Sequence, residues 1–315
     1  MAHSRACPKC LRRSWLLSLA APYIENTLAG PAAPDLTGLL RLDNEALVEA
    51  VAPKVASALL ARIEALPESH FEQELRDASC WATCRHDRFY PEVLREDADA
   101  PWALIARGDP ALLVDFEGSE TVTIVGARRA TSYGREVARS LGFGLAAAGL
   151  TVVSGLAFGA EGCVHRGALE AGRTIAVLAS GPDTAYPAAH RALWRQITER
   201  GLVVSELPPG AAPWRWCFPA RNRIMAALGA MTIVVEAAER SGSLLTAELA
   251  GGLGREIGAV PGPITSRQSG GCNQLLLGGA HVVRDSQDVL DVLLGDGRRA
   301  HNQAADQPTA PDECD

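Results

Sequence analysis

The chain has 315 residues, 47% apolar and 21% charged, which is enough apolar content to bury a core and excludes extended disorder away from the ends. Thirty basic residues face 37 acidic ones, for a net charge of −7. That balance excludes a globally basic nucleic-acid binder but not a local basic groove, and no apolar run reaches the roughly 18 residues of a membrane span.

At about 150 residues per domain, the length suits one large domain and a smaller one. A basic start (Arg5, Lys9, Arg12, Arg13) precedes the apolar Trp15, Leu16 and Leu17. Pro22 and Glu25 interrupt that stretch, so a secretory leader is not expected and the default location is cytoplasmic, without a membrane partner. Residues 1–78 read as helical. Leu39, Leu40, Leu47, Val48, Val51, Val55, Leu59, Leu60 and Ile63 suit short amphipathic helices broken at Gly38 and Pro53. The expectation is a small N-terminal helical module of the SAM or helix-hairpin-helix kind, although ordinary packing explains the pattern equally well. Residues 79–120 are rich in turn residues and charges and form a lead-in to the strands beyond.

From residue 121 the period changes. Residues 121–125 (TVTIV) form a β-branched run ending at Gly126, and Val137, Leu141, Leu145 and Ala148 follow at helical spacing until Gly149. Further strands are expected at 151–154, 174–178, 202–205, 231–235, 256–260 and 281–283, mostly separated by amphipathic helices. Near-continuous apolar strands alternating with helices mean a mainly parallel sheet covered on both faces. The fold class is therefore α/β, a doubly wound domain over residues 79–295. Residues 296–315 carry acids and almost nothing apolar, and are expected to form a disordered acidic tail with no third folded domain beyond.

In such a sheet, ligands bind beyond the carboxyl ends of the strands. After the first strand, Gly126 to Gly134 reads GARRATSYG, which is neither GxGxxG nor a P-loop. It offers a glycine turn, Ser132 as a helix cap and free N–H groups beside Arg128, an anion site more than a plain capped turn. Gly155 and Gly159 could admit a ligand to the backbone after the second strand. Between Glu206 and Glu236 there is no acid. Arg215, Arg221 and Arg223 alternate there with Trp214, Trp216 and Phe218, a pattern matching single-stranded nucleic-acid binding, where arginines take phosphates and aromatics stack bases. One of the two tryptophans should be buried. Ser241, Gly242 and Ser243 precede another helix as a second capped anion site. Glu236 and Glu239 could be an acid/base pair, but no nucleophile or metal motif accompanies them. His165 and His190 stand isolated and read as structural or surface residues.

Twenty-eight of the 30 basic residues are arginine, a bias that phosphate recognition or genome composition could each produce. Eight cysteines without a secretory leader are thiols or metal ligands sooner than disulfides. Cys7, Cys10, Cys80 and Cys84 form a CxxC and a CxxxC that could hold a structural zinc, although Cys80 or Cys84 could instead be a small core residue. Cys163, Cys217 and Cys272 read as buried thiols.

Taken in order, VGARRATSYG (125–134), SGLAFGAEGCVHRGALEAG (154–172), SELPPG (205–210), FPARNRIMAAL (218–228), VVEAAERSGSLLTAELA (234–250) and AVPGPITSRQSGGCNQLLLGGA (259–280) resemble the DNA-processing protein A (DprA/Smf) family. The resemblance covers about residues 80–294. It implies an extended Rossmann-like domain of the SLOG type, without enzymatic activity or cofactor. It further implies a homodimer that binds single-stranded DNA and loads the RecA recombinase onto incoming DNA during natural transformation. The family's G-S/A-R motif falls on Gly126, Ala127 and Arg128. Its DNA-contacting basic residue and phenylalanine fall on Arg215 and Phe218, and its RNR falls on Arg221, Asn222 and Arg223. Two departures stand out: Gly159-Ala160-Glu161 replaces a Gly-Ile-Asp, and the winged-helix domain seen at the C-terminus of many members is not expected.

The rival reading is a nucleotide-binding sensor, or a nucleoside-monophosphate phosphoribohydrolase-like enzyme of the same superfamily. Those enzymes carry PGGxGTxxE, whereas residues 241–248 here read SGSLLTAE without the paired glycines. Dimerisation is expected through the last α/β units. Three consecutive leucines, 275–277, cannot all face one core from a short helix, since neighbours lie about 100° apart.

Overall fold

A computed structural model describes residues 6–114, 116 and 118–295. The acidic tail expected at 296–315 lies outside the described residues. Five helices come first: α1 (Pro8–Leu28), α2 (Leu36–Arg41), α3 (Asn44–Val51), α4 (Ala56–Glu64) and α5 (Glu68–Asp77). Gly38, expected above to break a helix, instead lies inside α2. There its N–H donates to the capping carboxylate of Asp35, and the chain turns instead at Leu42. Pro53 does mark a break, a single 3-10 turn between α3 and α4. Pro22 sits inside α1, which runs on through it.

The helical module shares its core with the sheet domain. Leu16, Leu17, Ala20 and Ile24 of α1 are buried in one cluster with Ala82, Ile105, Leu207, Trp216 and Ala220. Trp216 fastens the two parts. Its indole N–H donates to Ala21 O at 3.2 Å and its backbone N–H to the Glu25 carboxylate at 3.2 Å. Trp214 points outward, so one tryptophan of the pair is buried, as the alternation requires.

Among the described residues, nine strands form one sheet: β1 (Trp81–Cys84), β2 (Ala103–Gly108), β3 (Thr121–Val125), β4 (Thr151–Ser154), β5 (Thr174–Val177), β6 (Leu202–Ser205), β7 (Met231–Val234), β8 (Glu256–Ala259) and β9 (His281–Val282). Their order is β1-β2-β6-β5-β4-β3-β7-β8-β9. From β6 to β9 every pair is parallel, whereas β1 and β2 add an antiparallel edge. The strands expected from residue 121 onward all form. β1 and β2 are additional, lying where only a charged lead-in was expected. They are built on alanine and cysteine as much as on β-branched residues, so they carry a weak strand signal.

Between the strands run α6 (Glu92–Arg95), α7 (Ala111–Val114), α8 (Ser132–Ala147), α9 (Ala160–Ala171), α10 (Arg191–Arg200), α11 (Cys217–Leu228), α12 (Gly242–Gly252), α13 (Gly270–Leu277) and α14 (Ser286–Leu294). Residues of α8, α9 and α14 cover one face, packing Leu141, Leu145, Val164 and Val289 onto Val122, Ile124, Val152 and Ile233. Residues of α11, α12 and α13 cover the other, with Ile224, Met225, Ala247 and Cys272 against Val125, Val153, Ile175 and Val234. Helices α8 and α9 approach backbone to backbone, because a Cβ on Gly167 would lie 2.0 Å from Arg139 O. From β3 the chain builds outward through β4, β5 and β6 on one side, then crosses back through α11 to place β7 on the other side of β3. That reversal opens a crevice at their carboxyl ends, where doubly wound sheets bind ligands.

Candidate nucleic-acid interface

At that crevice the protein has filled the anion position itself. Thr131, not the expected Ser132, caps α8 by accepting from Gly134 N at 3.1 Å, and Ser132 is exposed. The carboxylate of Glu236, just past β7, accepts from Thr131 N at 2.8 Å and from Thr131 Oγ at 2.6 Å. A Cβ on Gly134 would lie 2.2 Å from that carboxylate, so the residue must be glycine for Glu236 to fit. Glu236 therefore stabilises the helix N-terminus in the place a ligand phosphate would take, which corrects both the anion site at Ser132 and the Glu236–Glu239 pair. Gly126 is buried beneath, with the Cβ of Ala160 2.7 Å from where its own would be.

The RNR stretch also differs from expectation. Arg221, Asn222 and Arg223 are all buried on α11. Arg223 makes a two-pronged pair with Glu206 at 2.6 and 2.8 Å. Arg221 donates to Val177 O at 3.1 Å and pairs with Glu161 at 3.6 Å, and burial pushes its guanidinium below the ordinary arginine range. Gly155 exists to make room for it, since a Cβ there would overlap the Arg221 guanidinium rather than admit a ligand. Glu161 also accepts from Ala157 N at 3.0 Å. Asn222 donates to Gly242 O at 3.3 Å, tying α11 to the start of α12. None of the three is placed to meet a phosphate. They brace the loops after β4, β5 and β6 from below. Ser241 caps α12 by accepting from Ser243 N at 3.3 Å, with Gly242 exposed.

Above this brace lies a continuous surface of arginine and aromatic rings. Arg128, exposed after β3, sets its guanidinium carbon 4.8 Å from the centre of the Phe218 ring. Phe218, half-buried in the first turn of α11, packs tilted against Tyr186 at 5.7 Å. Phe158, in the loop after β4, meets His190 edge-on at 5.2 Å. That loop joins Arg128 directly, since Ala160 N donates to Ala127 O at 3.2 Å. Phe158, Tyr186 and Trp214 are 43%, 42% and 37% exposed, high values for rings of this size. Arg215 is exposed in the turn before Phe218, and Arg129 beside Arg128. Among the described residues, Arg128, Arg129 and Arg215 make no ion pair; the inward arginines 221 and 223 both do. The surface thus combines unpaired cations with exposed aromatic rings, the two kinds of group that single-stranded nucleic-acid binding uses in general.

Sequence reading named Arg128, Arg215 and Phe218, and the fold places Arg128 against Phe218 with Arg215 exposed in the turn before it. It missed Phe158 and Tyr186, which stand alone among small residues in the loops after β4 and β5. Their only signal was their position beyond strand ends. His165 is fully buried; its ring Nδ1 lies 2.8 Å from Thr174 Oγ, whose proton goes to Val152 O. Nδ1 is therefore the protonated nitrogen, and burial holds the ring pKa down at about 3. His190 is buried against Leu156 O, so both histidines are structural.

In the cysteine group, Cys80 stands apart and its thiol points to Ala78 O. Cys7, Cys10 and Cys84 converge instead on His86. The fourth partner is thus a histidine two residues past the strand, which no spacing of cysteines could show. Cys163, Cys217 and Cys272 are buried thiols, as expected.

Residues 81–294 match the family described as DNA recombination-mediator protein A. A putative DNA processing protein DprA of Mycobacterium tuberculosis is 46% identical over 195 residues, covering 62% of this chain and 50% of that protein. The DNA processing protein DprA of Streptococcus pneumoniae is 37% identical over 235 residues, covering 74% and 81% respectively. The chain spans about half the length of the mycobacterial relatives it matches. Among solved structures, that of DprA from Streptococcus pneumoniae superposes with a TM-score of 0.70 at 33% identity, covering 89% of this chain and 95% of that one. DNA processing protein A from Helicobacter pylori, described for its unique single-stranded DNA binding mode, superposes with a TM-score of 0.60 at 31% identity, covering 65% and 93%. No described helix is long and apolar enough to cross a membrane.

Proposed function

The chain belongs to the DNA recombination-mediator protein A family, and we propose that it binds single-stranded DNA along the Arg128–Phe218–Tyr186 surface, without catalysis, and delivers it to a RecA recombinase as a homodimer. The observation that carries this reading is the stack of the unpaired Arg128 on Phe218, continued by Tyr186. Phosphates would meet Arg128, Arg129 and Arg215, while bases lie on the rings. Such contacts are tolerant of sequence, because every base has a face to stack. Duplex DNA keeps its bases stacked on one another and cannot use them.

Binding is favoured over hydrolysis because the carboxylates of the crevice are already engaged. Glu236 holds α8, Glu161 holds Ala157 N and Arg221, and Glu206 holds Arg223. A phosphoribohydrolase needs such a group free to act on a sugar. The dimer is favoured by an apolar margin at the β9 edge. Leu277 is 90% exposed at the end of α13, Val282 faces solvent on β9, and Ile264 is 94% exposed in the loop between β8 and α13. Leu275 and Leu276 are half-buried against the sheet. An exposed apolar patch beside an open strand suits a twofold contact.

A titration of oligo-dT and of a duplex of equal length, each at two salt concentrations, tests the reading. Tight, salt-sensitive binding of the single strand and weak binding of the duplex are expected. Equal affinity for both, or release of free base from nucleoside monophosphates, contradicts it. Light scattering at micromolar concentration should give a dimeric mass for the wild type and a smaller one for Leu277→Glu.

A further inference from the structure

We propose that Cys7, Cys10, Cys84 and His86 bind a zinc ion that fastens the N-terminal helices to the edge of the sheet. The four donor atoms lie within 4.8 Å of one another. His86 Nδ1 stands 3.4 Å from the sulfurs of Cys7 and Cys10 and 3.9 Å from that of Cys84. A tetrahedral zinc with Zn–S of about 2.3 Å and Zn–N of about 2.0 Å puts its sulfur and nitrogen ligands roughly 3.6 Å apart. The nitrogen–sulfur distances already bracket that spacing.

Local structure explains why they converge. Cys7 is the residue before α1 and Cys10 lies in its first turn, so the CxxC presents both sulfurs at one helix end. Ala6 N donates to Ala82 O at 3.3 Å, which lays the start of the chain along β1 and brings Cys84 to the pair. The N–H of Cys7 points at the Cys84 sulfur at 3.3 Å, a donor suited to a thiolate. A disulfide does not account for the group, because it would use two thiols and leave a third beside an unexplained imidazole.

Charge and chemistry agree with zinc. Three thiolates and a neutral imidazole around a divalent ion carry a net charge of −1. Lys9 and Arg85 sit beside them, both over the ring of Trp102, which packs against Cys10 and Cys84. Three soft sulfurs and one nitrogen in a tetrahedron suit zinc rather than magnesium or calcium. Four protein ligands leave no position for water, so the site is structural. On binding, the thiol protons leave to solvent. The ion would close a loop between residues 77 apart in sequence, joining α1 to β1, and would act on a part of the molecule distant in sequence from the DNA-binding surface.

The test uses the full chain purified without chelator. Zinc is measured by elemental analysis, and reconstitution with Co(II) reports thiolate-to-cobalt charge-transfer absorption. One zinc per chain and a strong cobalt–thiolate band are expected. Cys80→Ser should keep both, since Cys80 lies outside the group, and Cys84→Ser should lose both. His86 is exposed, so His86→Ala keeps the fold even if Cys84→Ser does not. It should weaken zinc retention at least tenfold, and His86→Cys should restore it. Chelation should lower the melting temperature of the wild type and leave that of His86→Ala nearly unmoved. A folded chain with no zinc and no cobalt band overturns the proposal. So does a disulfide among Cys7, Cys10 and Cys84, or a loss in Cys80→Ser as large as in Cys84→Ser.

Discussion

Arg221 and Arg223 point inward from α11, while Phe218, on the same helix one turn earlier, contributes its ring to the surface beside Arg128. Both regions lie in acid-free stretches of sequence. In space they are opposites. The inward arginines meet Glu161 and Glu206, carried on other elements, whereas Arg128, Arg129 and Arg215 meet no acid among the described residues. An acid-free window therefore predicts an unpaired cation only where the chain stays on the surface. From sequence, Arg221 and Arg223 read as one phosphate-binding unit with Arg215. In the fold they instead hold the strand-end loops in register so that the outer rings align.

Substitution separates the two regions most sharply through stability. Arg223→Ala should cost about 3–5 kcal/mol, because it leaves Glu206 buried and unpaired, and Arg221→Ala should cost a comparable amount. Arg128→Ala should stay within about 0.5 kcal/mol of wild type. Urea denaturation of the three variants checks this. Near-wild-type stability for Arg223→Ala would erase the contrast.

The buried side also carries a pH dependence. His165 has its folded pKa depressed to about 3, against an ordinary value of 6.5, so the unfolded chain binds the proton more readily between those values. Its contribution is complete above about pH 6.5 and is lost as the pH falls toward 3. At pH 5 the loss amounts to about 2 kcal/mol. His165→Asn, which cannot titrate there, should show a shallower fall than wild type when urea midpoints are compared from pH 7 to 5. Parallel curves would refute the assignment.

On the outer surface, Phe218→Ala should weaken oligo-dT binding by about 1–3 kcal/mol while leaving its salt dependence unchanged. Unfolding of this variant would place Phe218 with the brace instead of the binding row.

The strand periodicity from residue 121 onward was legible because buried parallel strands are runs of Val, Ile and Thr with few alternatives. β1 and β2 were not, since WATC and ALIARG hold only Thr83 and Ile105 as β-branched residues and are interspersed with small and charged ones like the lead-in around them. At the proposed site, the positions of Arg128, Arg215 and Phe218 beyond strand ends were legible. The roles of Gly155 and Gly134 were not, because each makes room for a side chain remote in sequence, Arg221 and Glu236 respectively. Sequence favours Ser132 as the cap over Thr131, a difference of one residue that only the direction of the Gly134 N–H could settle. His86 stayed hidden for the same reason: the sequence shows a spacing of cysteines, and the fold decides which groups meet.

The sharpest test is the salt dependence of oligo-dT binding in Arg128→Ala and Arg215→Ala, measured on proteins shown to keep wild-type stability. Each substitution removes one phosphate contact, so the slope of log K against log salt should flatten by about 0.7 for each, with affinity reduced. Wild-type affinity and slope in both variants would contradict the claim that this outer row, rather than the buried arginines beneath it, meets the DNA.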